Sequence, residues 1–487
     1  MKVLKGNSGN SILLAVVKAF TTVSGILSTM VMSHALSLEL YGTFSQTNLI
    51  VTTATNLTAL GLVDAVNYFY NRSSDEKIQK TYINTIMGFQ TITGIMAGIL
   101  IIILSNNLVS YFNNPKLLGF FGLIAFRPLF ANLNVSLQYL QVSIGKAKSV
   151  AVRNAGFATL RLVVYIVAAW VLKDITVVLI AFLAFEVIIT MFFGWTFVKE
   201  KFAIEPYRID WGKTKEILGY SIPMGIYVLT NSLCRDIDKM LIGGWYSTDQ
   251  YAIYANCATL LPFDIISTSF LTILVPILTR YFGEKDYTHG RILFKNYLKI
   301  GYYTAFTFTM ACIVLSKEMV LFLYGEKYLS GQTIFILYTI VDMIKFANMS
   351  IVLSASGKTK TLMICSLVSL IANAGCNVLF YYVFGFIGPA IATVFVTVIL
   401  TVVLAEMSAK SLKTTIWKLI DWREFILFAI ELAIAGVICF AAKRALESVG
   451  IGSIFIFCIL GGAYVVSIFF LNKNKIFIAM KEINALK

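Results

Sequence analysis

Charge is scarce in this chain. Asp, Glu, Lys and Arg make up 13% of the 487 residues, against 58% hydrophobic ones. A sequence so poor in charge cannot coat itself with polar side chains in water, which excludes a soluble globular protein. Histidine is nearly missing, with only His34 and His289 present. The seven cysteines contain no CxxC pair, so neither zinc nor disulfide chemistry is expected. Long polar stretches are lacking too: the connections between hydrophobic runs leave no room for a soluble catalytic or nucleotide-binding domain, and no metal or cofactor is expected. No small-residue cleavage pattern follows the first apolar run, which therefore reads as a retained helix and not a secretory signal.

What the chain has in abundance is apolar runs of about 18 to 25 residues, the length that crosses a hydrocarbon core of roughly 30 Å. Fourteen such spans are expected, at 11–34, 43–68, 81–105, 117–142, 150–172, 175–199, 216–243, 252–280, 293–316, 330–354, 361–384, 387–408, 425–445 and 450–472. The fold class is thus an all-α integral membrane protein. The formal net charge of +15 is explained by placement. Segments on one side hold most of the 40 Lys and Arg residues, among them Arg72, Lys146, Lys148, Arg153, Lys213, Arg280, Lys358 and Lys410. The other side has only Lys116, Lys173, Lys317, Lys327, Lys443 and Arg444. By the positive-inside rule both termini are cytoplasmic, and the protein is expected in the inner membrane. The basic excess favours anionic lipid as a neighbour, and nucleic acid is not expected as a partner.

The chain also repeats itself. Glu39-Leu40-Tyr41 is echoed by Asp249-Gln250-Tyr251, Leu104-Ser105 by Leu315-Ser316, and Gly145-Lys146-Ala147-Lys148 by Gly357-Lys358-Thr359-Lys360. These matches fall at nearly one offset and at the same topological places, which points to a duplicated block of six helices. An even number gives both halves the same orientation in the membrane, the plan of a two-lobed transporter. The expected organisation is one lobe over 1–215, a second over 216–410, and two further helices with a cytoplasmic tail over 411–487.

Six cations fall inside spans: Lys18, Arg127, Arg161, Arg235, Lys239 and Lys345. A central charge costs roughly 2.5 to 3.5 kcal/mol on insertion scales, so none should face lipid. In 231–243 Arg235 and Asp238 are three residues apart, as are Asp236 and Lys239, so each pair can meet on a helix surface. Two uses suit these charges, self-neutralising pairs or the wall of a wet cleft. The polar row Thr21, Thr22, Gly25, Ser28 and Thr29 on span 1 favours the cleft. So do Gln46, Asn48, Thr55, Asn56 and Thr58 on span 2, and Arg127, Asn134, Gln138 and Gln141 on span 4. The alternative for any single one is an interhelical hydrogen bond. Guanidinium and ammonium groups suit phosphate oxygens, and hydroxyl and amide rows suit sugar hydroxyls. A polyprenyl-diphosphate-linked oligosaccharide combines the two. Among acids in or near spans, Asp264, Asp238, Asp236, Asp342 and Glu186 are candidates to carry a coupling ion, Na⁺ or H⁺, with Asp264 favoured because Pro262 breaks the helix beside it.

Two motifs are decoys. Ser356-Gly357-Lys358-Thr359 ends like a phosphate-binding loop but has Val352 where the first glycine belongs. Asp236 and Asp238 resemble a metal-binding pair, yet two steps along a helix point them apart.

The turn Tyr41-Gly42-Thr43-Phe44, Gly61-Leu62, Ser221-Ile222-Pro223, Asp238 to Gly243, Tyr251 to Tyr254, Pro276 and Leu323 to Tyr328 occur in an order that resembles the Wzx-type oligosaccharide (O-antigen and polysaccharide) flippases. These belong to the multidrug/oligosaccharidyl-lipid/polysaccharide exporter superfamily, and the resemblance runs over essentially the whole chain. It implies two parallel six-helix lobes, as in multidrug exporters of that superfamily, around a cationic cavity open alternately to either face, with no catalytic residues. Lys18 stands where such proteins often have Arg. The implied partners are a lipid-linked oligosaccharide, membrane lipid, and a polysaccharide polymerase and glycosyltransferases of the same pathway, with the protein itself working as a monomer. The alternatives are a multidrug antiporter on the same fold, or a membrane polymerase or ligase of lipid-linked glycans. The short, plain outward loops argue against the enzyme.

Overall fold

A computed structural model of the chain describes residues 7–72, 75–199, 202, 204–263 and 271–486. The described residues are almost entirely helical and contain no β-strand. Helices of seven residues or more are numbered here in chain order. In the first half they are α1 (Asn7–Ala35), α2 (Leu38–Ala59), α3 (Leu62–Arg72), α4 (Glu76–Ile103), α5 (Ser105–Tyr111), α6 (Arg127–Ser143), α7 (Ala147–Ile166) and α8 (Ile175–Lys199). Then come α9 (Trp211–Trp245), α10 (Thr248–Cys257), α11 (Leu271–Gly283), α12 (Tyr287–Val314), α13 (Ser316–Leu323) and α14 (Gln332–Ile344). The last four are α15 (Thr359–Phe384), α16 (Gly388–Ser411), α17 (Trp422–Ser448) and α18 (Gly462–Ala485).

Among the described residues, nine helical stretches are long and apolar enough to cross a membrane, or eleven when each of two bent pairs is one span. That differs from the fourteen runs in the sequence, for physical reasons. One of the nine stretches, Thr359–Ser411, is 53 residues long. Straight, it would reach about 80 Å, more than twice a hydrocarbon core. It folds back at Gly385, whose φ of 60° is open to glycine, so α15 and α16 lie against each other as two spans. Run 330–354 is broken between α14 and Ile351–Ala355, and run 252–280 falls partly outside the described residues.

The duplication is visible in the backbone. Non-helical left-handed residues recur at Asn113 and Gly325, Gly145 and Gly357, and Lys173 and Gly385, each pair 212 residues apart. Helices α4 and α12 are both 28 residues long, and each starts from an aspartate cap, Asp75 in one and Asp286 in the other. Of the sequence signals for the repeat, Gly145 and Gly357 are left-handed turns of this kind, while the others mark helix boundaries, at Leu104 and Leu315 and in the first turns of α2 and α10.

Residues 1–252 and 253–487 form two compact units. In the first, α9 packs on α2, α3 and α4. The contact is tight because Gly61, at φ 69°, and Gly225 remove side chains where two backbones meet; a Cβ on Gly61 would lie 2.1 Å from the Ser221 carbonyl oxygen. Tyr68 stacks on Tyr220 at 4.2 Å beside this contact. At the far end of α9 the Tyr111 hydroxyl donates to the Met240 carbonyl at 3.0 Å. In the second unit the core runs along α12, where Phe294, Tyr297, Tyr302 and Tyr303 are buried against neighbouring helices.

Candidate functional site

In the first unit, α1, α6, α7 and α8 surround a cavity of about 330 Å³. Its wall carries Arg127, Arg153, Arg161 and Glu186, the amides Asn134, Gln138 and Asn154, and the rings of Phe157, Phe182 and Phe185. Local sequence explains the placement. The chain bends by 42° between Pro115–Ile124 and α6. Pro128 sits in the first turn of α6, where its missing N–H does no harm, so the helix restarts with Arg127 at its tip. On α7, Arg153, Phe157 and Arg161 recur at intervals of four and share one face.

Arg127 is 8% exposed. Its Nη2 lies 3.0 Å from Glu186 Oε1, its Nε donates to Oε2 at 3.3 Å, and its guanidinium sits 5.0 Å over the Phe182 ring. The α8 backbone is held there as well: the Glu186 carbonyl accepts from Asn134 Nδ2 at 3.0 Å and from the Thr190 hydroxyl at 2.8 Å. Arg153 donates from Nη2 to Gln138 Oε1 at 2.7 Å and to Asn154 Oδ1 at 2.9 Å, and packs 4.2 Å over the Phe193 ring. Arg161 reaches toward α1 opposite Gly25, where a Cβ would lie 3.6 Å from its Nη2.

Each of the three arginines keeps one buried nitrogen with no hydrogen-bond acceptor among the described residues: Arg127 Nη1, Arg153 Nη1 and Arg161 Nε. A buried donor left unpaired costs roughly 1 to 3 kcal/mol, more when charged. Guanidiniums stay protonated in proteins, so with Glu186 ionised the wall carries three positive charges and one negative. Excess cation and spare donors are groups able to hydrogen-bond an oxyanion, and neutral amides and aromatic faces are groups able to pack on and bond to hydroxyl-bearing rings.

The structure thus brings Arg127, Arg161 and Glu186 together, along with Asn134 and Gln138 from the same row; Gln141 instead donates to Thr196 Oγ1 at 3.2 Å. The other candidates lie elsewhere. Lys18 is exposed on α1, and Lys345 is exposed just past α14. On α9, Arg235 is exposed, Lys239 pairs with Asp236 at 3.5 Å, and buried Asp238 accepts the Lys239 backbone N–H at 2.8 Å. Asp342 is buried and accepts the Leu261 N–H at 2.8 Å. Asp264 lies outside the described residues. The polar row on α2 is largely interhelical glue: Asn114 Nδ2 donates to Gln46 Oε1 at 2.7 Å, Asn56 Nδ2 to Ser232 Oγ at 2.6 Å, and Asn132 Nδ2 to Thr58 Oγ1 at 3.1 Å.

Arg153 is the residue that sequence reasoning missed, because it sits near the inner end of a span and counts there as one more loop cation. Its spacing of eight from Arg161, with Phe157 midway, is the signal that marks it as a wall residue. Lys443, read as an outward loop charge, is buried and pairs with Glu318 at 2.8 Å.

Comparison with known proteins places this geometry in a family. A curated relative, the probable lipid II flippase MurJ of Rickettsia prowazekii (strain Madrid E), is 27% identical over 212 residues. That match covers 40% of this chain and 39% of the relative, so the chain spans about two fifths of that protein. Among solved structures, lipid II flippase MurJ in an inward closed conformation aligns with a TM-score of 0.74 at 14% identity, over 96% of this chain and all of that one. An inward-facing multidrug resistance MATE family transporter of the MOP superfamily aligns with a TM-score of 0.67 at 14% identity, over 83% of this chain and 98% of that one. At such identities the likeness is one of fold, the multi-pass helical fold of that superfamily. The profile described as polysaccharide biosynthesis protein matches residues 31–332, more than half of the chain, and the protein belongs to that family.

Proposed function

We propose that this protein is a flippase that carries a polyprenyl-diphosphate-linked oligosaccharide from the inner to the outer leaflet for cell-surface polysaccharide synthesis. In this reading it works in the inner membrane with both termini in the cytoplasm, exposes its site first to one face and then to the other, and draws on a Na⁺ or H⁺ gradient. The observation that supports it above all is the set of three buried guanidinium nitrogens without acceptors around one cavity. A diphosphate diester carries two negative charges, which matches three guanidiniums less one carboxylate. The amides and phenyl faces beside them suit the sugar next to the diphosphate. Family membership, and the lipid II flippase named for the curated relative, point the same way. A multidrug antiporter for organic cations fits less well, since a wall with three arginines to one acid repels a cation.

The test is the double variant R153Q/R161Q in cells whose surface polysaccharide depends on this protein. Surface glycan should fall at least tenfold while lipid-linked precursor accumulates inside and the variant persists in the membrane at the normal level. Normal delivery by the variant would overturn the reading.

A further inference from the structure

A receptor for an anion gains nothing obvious from an acid on its wall, yet Glu186 lines the cavity and takes hold of its most buried arginine. The way it does so is informative. A guanidinium offers five N–H donors. Glu186 engages Arg127 through Nε and Nη2, and Nη1 is left buried with no acceptor. The carboxylate therefore grips one edge of the guanidinium and leaves Nη1 without an acceptor among the described residues. Asn134 and Thr190 hold the Glu186 carbonyl, so only the side chain is free to yield. That side chain is also the more accessible partner, 19% exposed against 9% for Arg127.

Neutralisation is selective. If buried guanidiniums on this wall each needed an acid for stability, Arg153 and Arg161 would have one as well. Arg153 is held by two amide oxygens and a phenyl ring, and Arg161 Nε has no acceptor. One acid has been placed against one of three cations. A carrier, unlike a scavenger, must release what it binds, and a site three charges strong would hold a dianion in a low-dielectric wall too firmly to let it go.

We infer that Glu186 is a built-in counter-ion: it competes with the ligand's oxyanion for Arg127, so that the cavity holds a diphosphate on two uncompensated guanidiniums and can release it. This rests on the flippase reading for the identity of the anion.

The experiment uses the full-length protein in detergent, with inorganic pyrophosphate as the probe in titration calorimetry, alongside surface glycan delivery in cells. Glu186→Gln should bind pyrophosphate about tenfold more tightly than the parent and with a steeper salt dependence, while delivery falls, because release becomes slow. Glu186→Asp, which keeps the charge, should lie between the two. Arg161→Gln should weaken pyrophosphate binding in both backgrounds. If the parent binds pyrophosphate and R161Q weakens it, but E186Q binds no more tightly, the counter-ion role is wrong and the anion site stands. If parent and E186Q both fail to bind and R161Q changes nothing, the anion-site reading fails and takes this inference with it. Should E186Q not be recovered folded, the shape-filling Glu186→Met carries the same expectation and the same refutation.

Discussion

The two halves of the repeat share their turns and several of their helices and differ in charge. At the spacing of 212 set by their left-handed turns, Arg127 corresponds to Thr339, Arg153 to Cys365, Arg161 to Asn373 and Glu186 to Val398. Every charged group of the cavity has a neutral counterpart in the second half. Thr339 turns its hydroxyl back to the Phe335 carbonyl at 2.8 Å, and Cys365 lies 3.9 Å from the Met407 sulfur. Helices α15 and α16 therefore form without the cavity charges that α7 and α8 carry, whereas the counterpart of α6 is broken between Ile344 and Ile351. Charge occurs in the second unit too, but there it is paired from helix to helix, although Glu318 Oε1 stays buried with no donor among the described residues. Lys443 meets Glu318, Lys299 meets Glu424 at 2.6 Å, and Asn472 donates to Glu431 at 2.8 Å. These pairs fasten α17 and α18 to the repeat and to each other. In one half the arginines keep donors to spare, and in the other these charges chiefly join helices.

The largest effect that could break this contrast is on stability. Removing one partner of a buried ion pair leaves an uncompensated charge, at a cost of about 3 to 5 kcal/mol. Glu318 is fully buried, so Lys443→Met should lower the thermal unfolding midpoint sharply in detergent, and K443M/E318L should recover most of the loss. Arg161→Gln in the first unit should leave the midpoint unchanged or raise it, since it removes a buried nitrogen that has no acceptor. If R161Q destabilises as much as K443M, the two kinds of buried charge are the same and the distinction collapses.

A smaller effect sharpens the shape of the charged half. Gly25 of α1 faces Arg161 with a Cβ distance of 3.6 Å, an ordinary contact, so Gly25→Ala should be tolerated. Gly25→Leu would fill the space the guanidinium needs. It should weaken pyrophosphate binding severalfold while the unfolding midpoint moves little. Unchanged binding by G25L would mean that the ligand approaches Arg161 from another side.

These residues also mark how far the sequence could be read. The membrane class, the duplication and the Arg127–Asn134–Gln138 row follow from composition and helical period, which are local properties. Arg161 could be picked out because a charge in mid-span is costly. That argument also picks out Lys18 and Arg235, both exposed and outside the wall of this cavity, because it treats each cation by depth alone and is blind to which way the helix face turns. It misses Arg153, whose partners Gln138 and Phe193 lie on other helices and bear no fixed sequence relation to it. The exposed face of each helix is decided by its neighbours, and hydropathy does not record neighbours. Counting spans fails at bends for a related reason: α12 and α13 form one apolar run that turns by 88° at Leu315.

The smallest expected effect separates the halves at a point where they look alike. Asp75 caps α4 through the Lys77 N–H at 2.8 Å, and Asp286 caps α12 through the His289 N–H at 3.1 Å. Asp286 has an addition: its second oxygen lies 2.5 Å from His289 Nδ1, and the imidazole stacks on Tyr281. The backbone N–H of His289, followed by its ring, holds the Asp286 carboxyl below the usual carboxylate range. A depressed pKa means that the cap's contribution is present above the unfolded value, about 3.9, and is lost as pH falls through the folded value. Asp286→Ala should therefore lower the unfolding midpoint slightly at pH 5, and parent and variant should converge as the medium is taken below that range. Asp75→Ala removes a cap of the same kind and should lower the midpoint by less at pH 5, since Asp286 also holds the His289 ring. A loss for D286A no larger than that for D75A at pH 5 would reduce Asp286 to the same plain cap as its twin.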